Sequence, residues 1–423
     1  MKYTSVSFFA LFGLVCLSGD LLAQSGSLEW EGFIAARAGV ADGPVGWPEG
    51  GFGRLYAGGD TDKDFQGFSR FESQLGLNWQ PGGSWSGHLH AIARAEDSDV
   101  PGPGLGLTEA WIGYQRAVGS NSELRARAGL FFFPSSQENI DSLWGSPYTL
   151  TFSAINSWFA EEFRPLGLDL EQRFFSPSGS VYKLGASIFG GNDQLGTLVA
   201  WRGWSMHDRL SLVDESLALP RVFSLEADGV FGQFQRPFRT TAFGRDLDGR
   251  PGYSLRASFD HDGRISAQLA WVDNRGDRDL HGDEYAWRTG FWHLGGFWGV
   301  TERLELIFEA TRGNTRMNFP GAPWVDVDFH ATYLMASYPT DYGRWSIRHD
   351  RFGGSDRIGN LAWGVFDDRG QAWTLAWIRQ FGERHRLAAE VLWLDSRRPV
   401  ALTSTGALDT SGRAISLEWR WLF

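Results

Sequence analysis

The chain has 423 residues, a formal net charge of −11 and one cysteine, Cys16. Its acidic balance argues against a protein that binds nucleic acid, because such proteins carry a basic patch or stripe. No stretch approaches roughly 18 consecutive apolar residues, which argues against a membrane-spanning helix.

The N-terminus has the pattern of a secretory signal peptide. Lys2 precedes an apolar run from Val6 to Leu17, and small residues follow. The run is too short to span a bilayer as a helix. We therefore expect residues 1–23 to be a cleaved signal peptide and residues 24–423 to be one exported domain without cysteine. Such a domain must be stable through its fold alone.

Alternating segments begin directly after this region. From 28 to 41 apolar residues such as Leu28 and Trp30 occupy every second position, and the segments near 70–80 and 85–95 repeat the pattern. A period of two predicts β-strands with one apolar and one polar face. The 54 glycines, 21 tryptophans and 32 phenylalanines favour a membrane barrel, since glycine serves turns and aromatic residues form interfacial girdles.

Short polar turns recur between pairs of strand-like segments of about ten residues. The seven turns lie at 81–84, 118–122, 176–180, 261–264, 299–303, 339–343 and 382–385. Seven hairpins, a first strand and a last strand make 16, an even number that lets an antiparallel barrel close. The sequence therefore predicts an all-β transmembrane antiparallel β-barrel of about 16 strands, with short periplasmic turns and long extracellular loops.

Three segments fit this scheme less well. Residues 190–252 contain no clean hairpin, and a strand pair near 221–234 would raise the count to 18. Residues 285–298 and 372–381 carry large side chains at both odd and even positions. They either lie at a subunit interface or belong to a shifted strand register.

The last ten residues, 414–423, have the clearest alternation. The apolar positions are Ile415, Leu417, Trp419, Trp421 and Phe423. Ten residues are about enough to cross a bilayer at a tilt. This ending resembles the C-terminal strand of Gram-negative outer-membrane β-barrels, which their assembly machinery recognises. We therefore expect Trp419, Trp421 and Phe423 to form an assembly signal; the edge strand of a soluble sandwich is the alternative.

The 16-strand layout and the terminal Phe423 resemble general Gram-negative porins over the whole mature chain. In those porins the third long loop folds into the lumen, and the subunits form trimers. The resemblance thus implies an inward-folding loop at 131–164 and a homotrimer. The phrases at 146–158 and 250–255 resemble a family near the phosphate-selective porins, whose selectivity depends on pore-lining lysines and arginines. Only two lysines follow residue 23 in this chain.

An inward loop would bring acidic residues opposite basic residues of the wall. Its carboxylates are Glu138, Asp141, Glu161 and Glu162, and the predicted lumen-facing arginines are Arg37, Arg94, Arg125 and Arg127. Opposed charges across a narrow, wet gap can select ions. We therefore predict a pore constriction at these residues; solvated lumen charges without a selective role are the alternative.

These features predict a water-filled channel for passive diffusion of small hydrophilic solutes or ions, without enzymatic chemistry, cofactor or metal. The expected partners are outer-membrane lipid, lipopolysaccharide and the barrel-assembly machinery, and not nucleic acid. A saccharide-specific channel of 18 strands is one alternative, which Trp144, Trp158, Trp201 and Trp204 in the long loops support. An outer-membrane barrel hydrolase is another, but the sequence indicates no adjacent Ser and His on the lipid face. The acidic run at 60–64 lacks the glycine and final glutamate of an EF-hand.

Overall fold

The computed structural model describes residues 27–59, 64–96, 104–226, 228–236, 239–319, 322–359, 366–398 and 408–423. The predicted signal peptide, 1–23, and residues 60–63 of the acidic run lie outside these ranges.

Sixteen strands form one closed antiparallel barrel. They are β1 (Ser27–Ala41), β2 (Gln66–Gln80), β3 (Trp85–Glu96), β4 (Leu105–Ala117), β5 (Ser122–Leu130), β6 (Leu166–Phe175), β7 (Ser180–Gly190), β8 (Gly252–His261), β9 (Ile265–Asp273), β10 (Arg288–Gly299), β11 (Glu305–Phe319), β12 (Ala322–Thr340), β13 (Gly343–Asp356), β14 (Asp368–Phe381), β15 (His385–Arg398) and β16 (Gly412–Leu422). Each strand pairs with the next along the chain, and β16 pairs with β1. The predicted 16-strand barrel is confirmed.

The alternative count of 18 is wrong. The described residues near 221–234 hold a short 3-10 helix, Phe223–Leu225, and contribute no strand to the barrel wall. Nearby, Ser216–Ala218 pairs with Arg239–Thr241 in a small sheet separate from the barrel. The sequence lacks a hairpin pattern here because this segment does not belong to the wall.

All seven predicted turns join neighbouring strands at one rim of the barrel, which we call the short-turn rim. The first turn contains Gly82 and Gly83, with φ of 94° and 72°. A Cβ added at either position would meet nothing within 4 Å. These glycines therefore serve the left-handed backbone of the turn and not a close contact.

The outer surface is apolar, as the alternation predicts. In β6, Leu166, Leu168 and Leu170 are 44%, 41% and 42% exposed, whereas Asp169 between them is 5% exposed and faces the interior. In β16, Trp419 is exposed and Glu418 is buried. Lipid covers such an apolar belt around a closed barrel, so this is an integral membrane barrel. None of the helices within the described residues has the length and apolar character to cross a membrane.

Two long connections fold into the barrel. The first inward segment, 131–165, contains helix α1 (Ala154–Glu162), and the second inward segment, 191–251, contains helix α2 (Thr197–Trp201). Every residue of both helices is buried. Helix α1 begins where the Ser153 side chain accepts a hydrogen bond from Asn156 N, at 3.2 Å, and so caps its free N–H groups. We call the two inward segments together the lumen plug.

The lumen plug explains the strands with large residues on both faces. In β10, Trp292 is exposed on the outside, while Phe291 is 1% exposed and contacts Trp158 of the plug, with ring centroids 5.2 Å apart. In β14, Ile378 faces inward and packs with Leu150 of the plug. Packing against the plug thus explains the large inner residues without a subunit interface or a shifted register, and these residues belong to a core between the wall and the plug.

Candidate channel lumen

Carboxylates of the wall hold the first inward segment. Glu390 of β15 accepts hydrogen bonds from Leu150 N at 2.7 Å and from Thr151 N at 3.1 Å. Asp350 of β13 accepts from Ala154 N, the first residue of α1, at 3.2 Å. A negative charge at a helix N-terminus is favourable. The wall therefore supplies the partners of main-chain groups that would otherwise be buried without one.

Arginines of the wall hold the second inward segment. Arg37 of β1 donates to Asp208 through Nη1 at 2.9 Å and Nη2 at 2.6 Å, and Arg70 of β2 reaches both carboxylate oxygens at 2.7 and 2.8 Å. Glu418 of β16 also accepts from Arg37. Burial opposes ionisation of Asp208, but the guanidiniums of Arg37 and Arg70 outweigh it and hold its pKa well below the usual range. Asp208 is therefore an anion at neutral pH.

The two inward segments are also joined to each other. Arg202 Nη1 donates to Glu161 Oε1 at 3.1 Å, and His207 Nε2 lies 3.2 Å from the same oxygen. Ser157 Oγ donates to the His207 carbonyl at 2.9 Å. Burial opposes ionisation of Glu161, but Arg202 and His207 outweigh it and lower its pKa to about 2. The segments therefore form one packed body across the lumen.

The four predicted carboxylates of the loop have two different environments. Glu138 is fully buried and accepts from Arg348 and from Ser153 N, while Glu162 accepts from Trp158 Nε1 at 2.7 Å. Glu161 is buried in its pair with Arg202. Asp141 differs: its side chain is 50% exposed and lies 3.7 Å from Arg386. Of the four, Asp141 is the one that faces water.

The four predicted arginines also divide into two pairs. Arg37 binds Asp208, and Arg94 Nη2 donates to the Leu210 carbonyl at 2.5 Å, so both contact the second inward segment. Arg125 and Arg127 line a different space on the inner wall. The structure thus does not gather the eight predicted residues at one constriction, and their role in ion selection stays a prediction.

Arg125 and Arg127 belong to a charged cavity of about 210 Å³ beside strands β4–β6 and β8. Its charged lining residues are Arg125, Arg127, Asp169, Glu171, Arg173 and Arg256. Arg256 Nη2 donates to Asp169 Oδ2 at 2.9 Å, and Arg173 Nε donates to Glu171 at 2.6 Å. Arg256 was not predicted from the sequence, although its place beside the outward Leu255 indicates an inward side chain.

Three nitrogen donors around this cavity have no hydrogen-bond partner among the described residues. They are Trp111 Nε1, Arg127 Nε and Arg256 Nε. Arg127 Nε does lie 3.3 Å from Asp169, within ion-pair range. Leaving a buried donor unpaired costs about 1–3 kcal/mol. The three atoms are buried below the cavity surface, so a solute in the cavity meets the more exposed side chains of Arg125 and Arg173.

The structure corrects the expectation that no Ser and His lie together on the outer face. Ser180 Oγ lies 3.0 Å from His261 Nδ1, and His261 Nε2 lies 3.7 Å from Asp262. Ser180 and His261 are 81 residues apart, but the antiparallel pairing of β7 and β8 places them opposite each other. They occupy the same face as the exposed Tyr182. Sequence spacing alone could not show this contact.

No protein-family model matches the sequence, and no curated protein matches it. Solved structures do share its fold. The outer-membrane channel DcaP of Acinetobacter baumannii is 11% identical, with 94% of this chain and 98% of that chain covered and a TM-score of 0.55. The fold is that of an outer-membrane porin.

Two further porin structures support this assignment of fold. An anion-selective porin from Comamonas acidovorans is 12% identical and covers 94% of this chain and 100% of its own, with a TM-score of 0.51. OmpF of Salmonella typhi, in complex with daunomycin, is 13% identical, with 94% of this chain and 98% of that chain covered and the same TM-score of 0.51. The predicted resemblance to porins is thus confirmed at the level of fold.

Proposed function

We propose that this chain is an outer-membrane channel for the passive diffusion of small hydrophilic solutes or ions. The observation that carries the proposal is the charged cavity on the inner wall of a closed, externally apolar barrel. A polar interior inside an apolar exterior is what a transmembrane solute path requires. The porin fold supports the same function, since solved relatives in fold are described as channels and porins.

The finer proposal concerns selectivity. The cavity presents four guanidiniums, from Arg125, Arg127, Arg173 and Arg256, and two carboxylates, from Asp169 and Glu171. We propose that anions pass this wall more readily than cations, because the excess charge of the cavity lining is positive. In this proposal Glu138, Glu161 and Glu162 hold the lumen plug in place, and Asp141 is the loop carboxylate that acts on ions.

Conductance and ion selectivity measured in planar lipid bilayers test both the channel function and the proposed anion preference. Replacing Arg125 and Arg173 by glutamine should shift the reversal potential in a salt gradient toward cations. The shift should shrink from about 0.1 M to about 1 M salt, because the Debye length falls from about 10 Å to about 3 Å. Arg116→Gln with Arg264→Gln is the matched control, since both residues are exposed and lie outside the cavity lining.

The outcomes separate the two levels. A folded, heat-modifiable barrel that never conducts would contradict the channel itself. A conducting barrel whose reversal potential is the same in both double variants and the wild type would contradict the cavity path and its anion preference, and would leave the channel function standing.

The saccharide-channel alternative loses its main support. Trp158, Trp201 and Trp204 are 3%, 1% and 2% exposed, so they pack the plug and do not line a water-filled path. Trp144 is partly buried and stacks on Phe132, with ring centroids 4.4 Å apart. The barrel has 16 strands and not the 18 that this alternative requires. We therefore do not propose a sugar-specific channel.

The contact between Ser180 and His261 favours a second candidate, hydrolysis of membrane phospholipid. In this reading His261 would accept the Ser180 proton during attack on an ester. Phospholipase activity of the refolded barrel, compared with that of Ser180→Ala, tests the idea. Ser120→Ala, in the exposed turn between β4 and β5, is the control. Activity that is absent, or that survives in Ser180→Ala, would exclude this candidate.

A further inference from the structure

Four arginines and one histidine form a continuous group on the outer surface of strands β11–β15. They are Arg312, His330, Arg351, Arg369 and Arg397, and all five are exposed. The strand register makes them neighbours: Arg312 lies opposite His330, and Arg369 lies opposite Arg397. Gly353 separates His330 from Arg369, and Arg351 precedes it by two residues on β13. We call these five residues the outer cationic arc.

The arc stands just beyond the aromatic belt, on the side of the long loops. Trp373 lies opposite Trp393, and the His349 ring packs on Trp373 with centroids 4.4 Å apart. Arg351 is two residues beyond His349, and Arg369 is four residues away from Trp373. At about 3.4 Å per residue and a tilt of about 40°, these steps raise the cations by roughly 5–10 Å. Interfacial Trp residues such as Trp373 and Trp393 sit at the headgroup level of a membrane. We therefore place these cations in the layer of lipid headgroups.

The charge of this surface is predominantly positive. Gln371 of β14 lies between Arg351 and Asp395, and its Nε2 donates to Asp395 at 3.4 Å. Asp409 lies opposite Arg397. Asp326 and Asp328 lie on the same outer face of β12, next to Arg316 and Arg357. Four carboxylates thus accompany six guanidiniums and one imidazole. The corresponding outer positions of β1 and β3 carry alanines, including Ala38 and Ala93. The positive charge is therefore concentrated on one side of the barrel.

We propose that the outer cationic arc binds the phosphate groups of lipid headgroups in the surrounding leaflet. Arginine suits this role because its planar guanidinium donates two parallel hydrogen bonds to phosphate oxygens. Basic residues next to a membrane surface each add attraction to anionic headgroups. Four strand spacings separate Arg312 from Arg397, which is about 19 Å and enough for more than one phosphate. The contacts would fix the depth of this side of the barrel and order the lipids around it.

Native mass spectrometry of the detergent-solubilised full-length barrel tests the proposal with phosphatidic acid as the probe. We compare the wild type with a triple variant, Arg312→Gln, Arg351→Gln and Arg369→Gln. The matched control removes three exposed arginines at or near the short-turn rim. These are Arg116→Gln, Arg264→Gln and Arg303→Gln. Heat-modifiability on gels checks that each barrel is folded.

The expected result is that the wild type and the control retain phosphatidic acid, whereas the triple variant binds it about tenfold more weakly or worse. Phosphatidylcholine should bind all three alike. Equal retention by the triple variant and the wild type would overturn the proposal. Equal loss in the control would also overturn it, by showing a response to net charge alone. Full displacement by millimolar inorganic phosphate would assign the arc to free phosphate and overturn the lipid site.

Discussion

Arg37 and Asp208 form a buried, two-pronged ion pair between the first wall strand and the second inward segment, although 171 residues separate them. Each side chain is 7% exposed. The pair fixes the second inward segment against β1, and Arg70 extends the contact to β2. The contact fills this part of the lumen with packed side chains and main chain. We therefore expect the lumen plug to limit how much the barrel conducts.

The first prediction is that Asp208→Asn loosens the plug. Arg37 and Arg70 would lose their shared counter-charge, and breaking a buried pair in this way costs about 3–5 kcal/mol. Single-channel recordings should show higher and noisier conductance than the wild type. Asp341→Asn, in an exposed turn between β12 and β13, is the control and should conduct like the wild type. Wild-type conductance in Asp208→Asn would contradict the role of the pair.

The second prediction concerns acid. Glu161 has a pKa of about 2 in the folded barrel, below its ordinary value of 4.5, because Arg202 and His207 overcome the effect of burial. A depressed carboxylate pKa stabilises the folded state above the ordinary value, and this stabilisation is lost as the pH falls toward the folded value. Wild-type stability should therefore decline between about pH 4.5 and pH 2.

Glu161→Gln should show a shallower decline over the same range, although Asp208 contributes there too. The measurement is the thermal unfolding temperature of the refolded barrel at a series of pH values. Glu302→Gln, in an exposed turn, serves as the control and should keep the wild-type slope. An identical slope in Glu161→Gln would show that the pair with Arg202 does not stabilise the plug.

The wall was predictable from the alternation in the sequence. The resemblance to general porins implied an inward loop at 131–164, whereas the second inward segment and the contacts of the plug were not predicted. Each strand can be recognised from its own residues, because successive side chains such as Leu168 and Asp169 must face lipid and lumen in turn. The contacts of the plug join distant positions: Trp204 Nε1 donates to the Gly353 carbonyl, 149 residues away. The plug has no regular period, since its residues are buried on all sides. For the same reason Glu138 and Glu161 look like solvated loop charges in the sequence but are buried in ion pairs.

The third prediction tests the strand register with single cysteines. Leu168→Cys should react with a lipid-soluble thiol reagent and resist a water-soluble one, because Leu168 is exposed on the outer face. Glu171→Cys should do the opposite, because Glu171 lines the inner cavity. The single native cysteine, Cys16, lies in the predicted signal peptide. The reverse labelling pattern would indicate a register shifted by one residue.

The last prediction concerns the end of β16. Phe423 exchanges two backbone hydrogen bonds with Gly32 of β1, each 3.0 Å long, and its ring lies 5.4 Å from that of Trp421. Deleting Phe423 removes this closing contact and should lower the amount of folded barrel in membranes. Trp419→Arg places a charge on the outer face and should destabilise by about 2–4 kcal/mol near the midplane, or by about 0–1 kcal/mol near an interface.

Two measurements separate stability from recognition by an assembly machinery. Refolding into detergent requires the strand but no machinery, whereas the level in cell membranes depends on both. If Trp419, Trp421 and Phe423 are an assembly signal, deleting Phe423 should reduce the level of the barrel in cell membranes strongly. The same deletion should reduce the yield of refolding in detergent only slightly. Trp419→Phe keeps an aromatic ring and should behave like the wild type in both. Equal losses in both measurements would make Phe423 a closing residue of the barrel and not a signal.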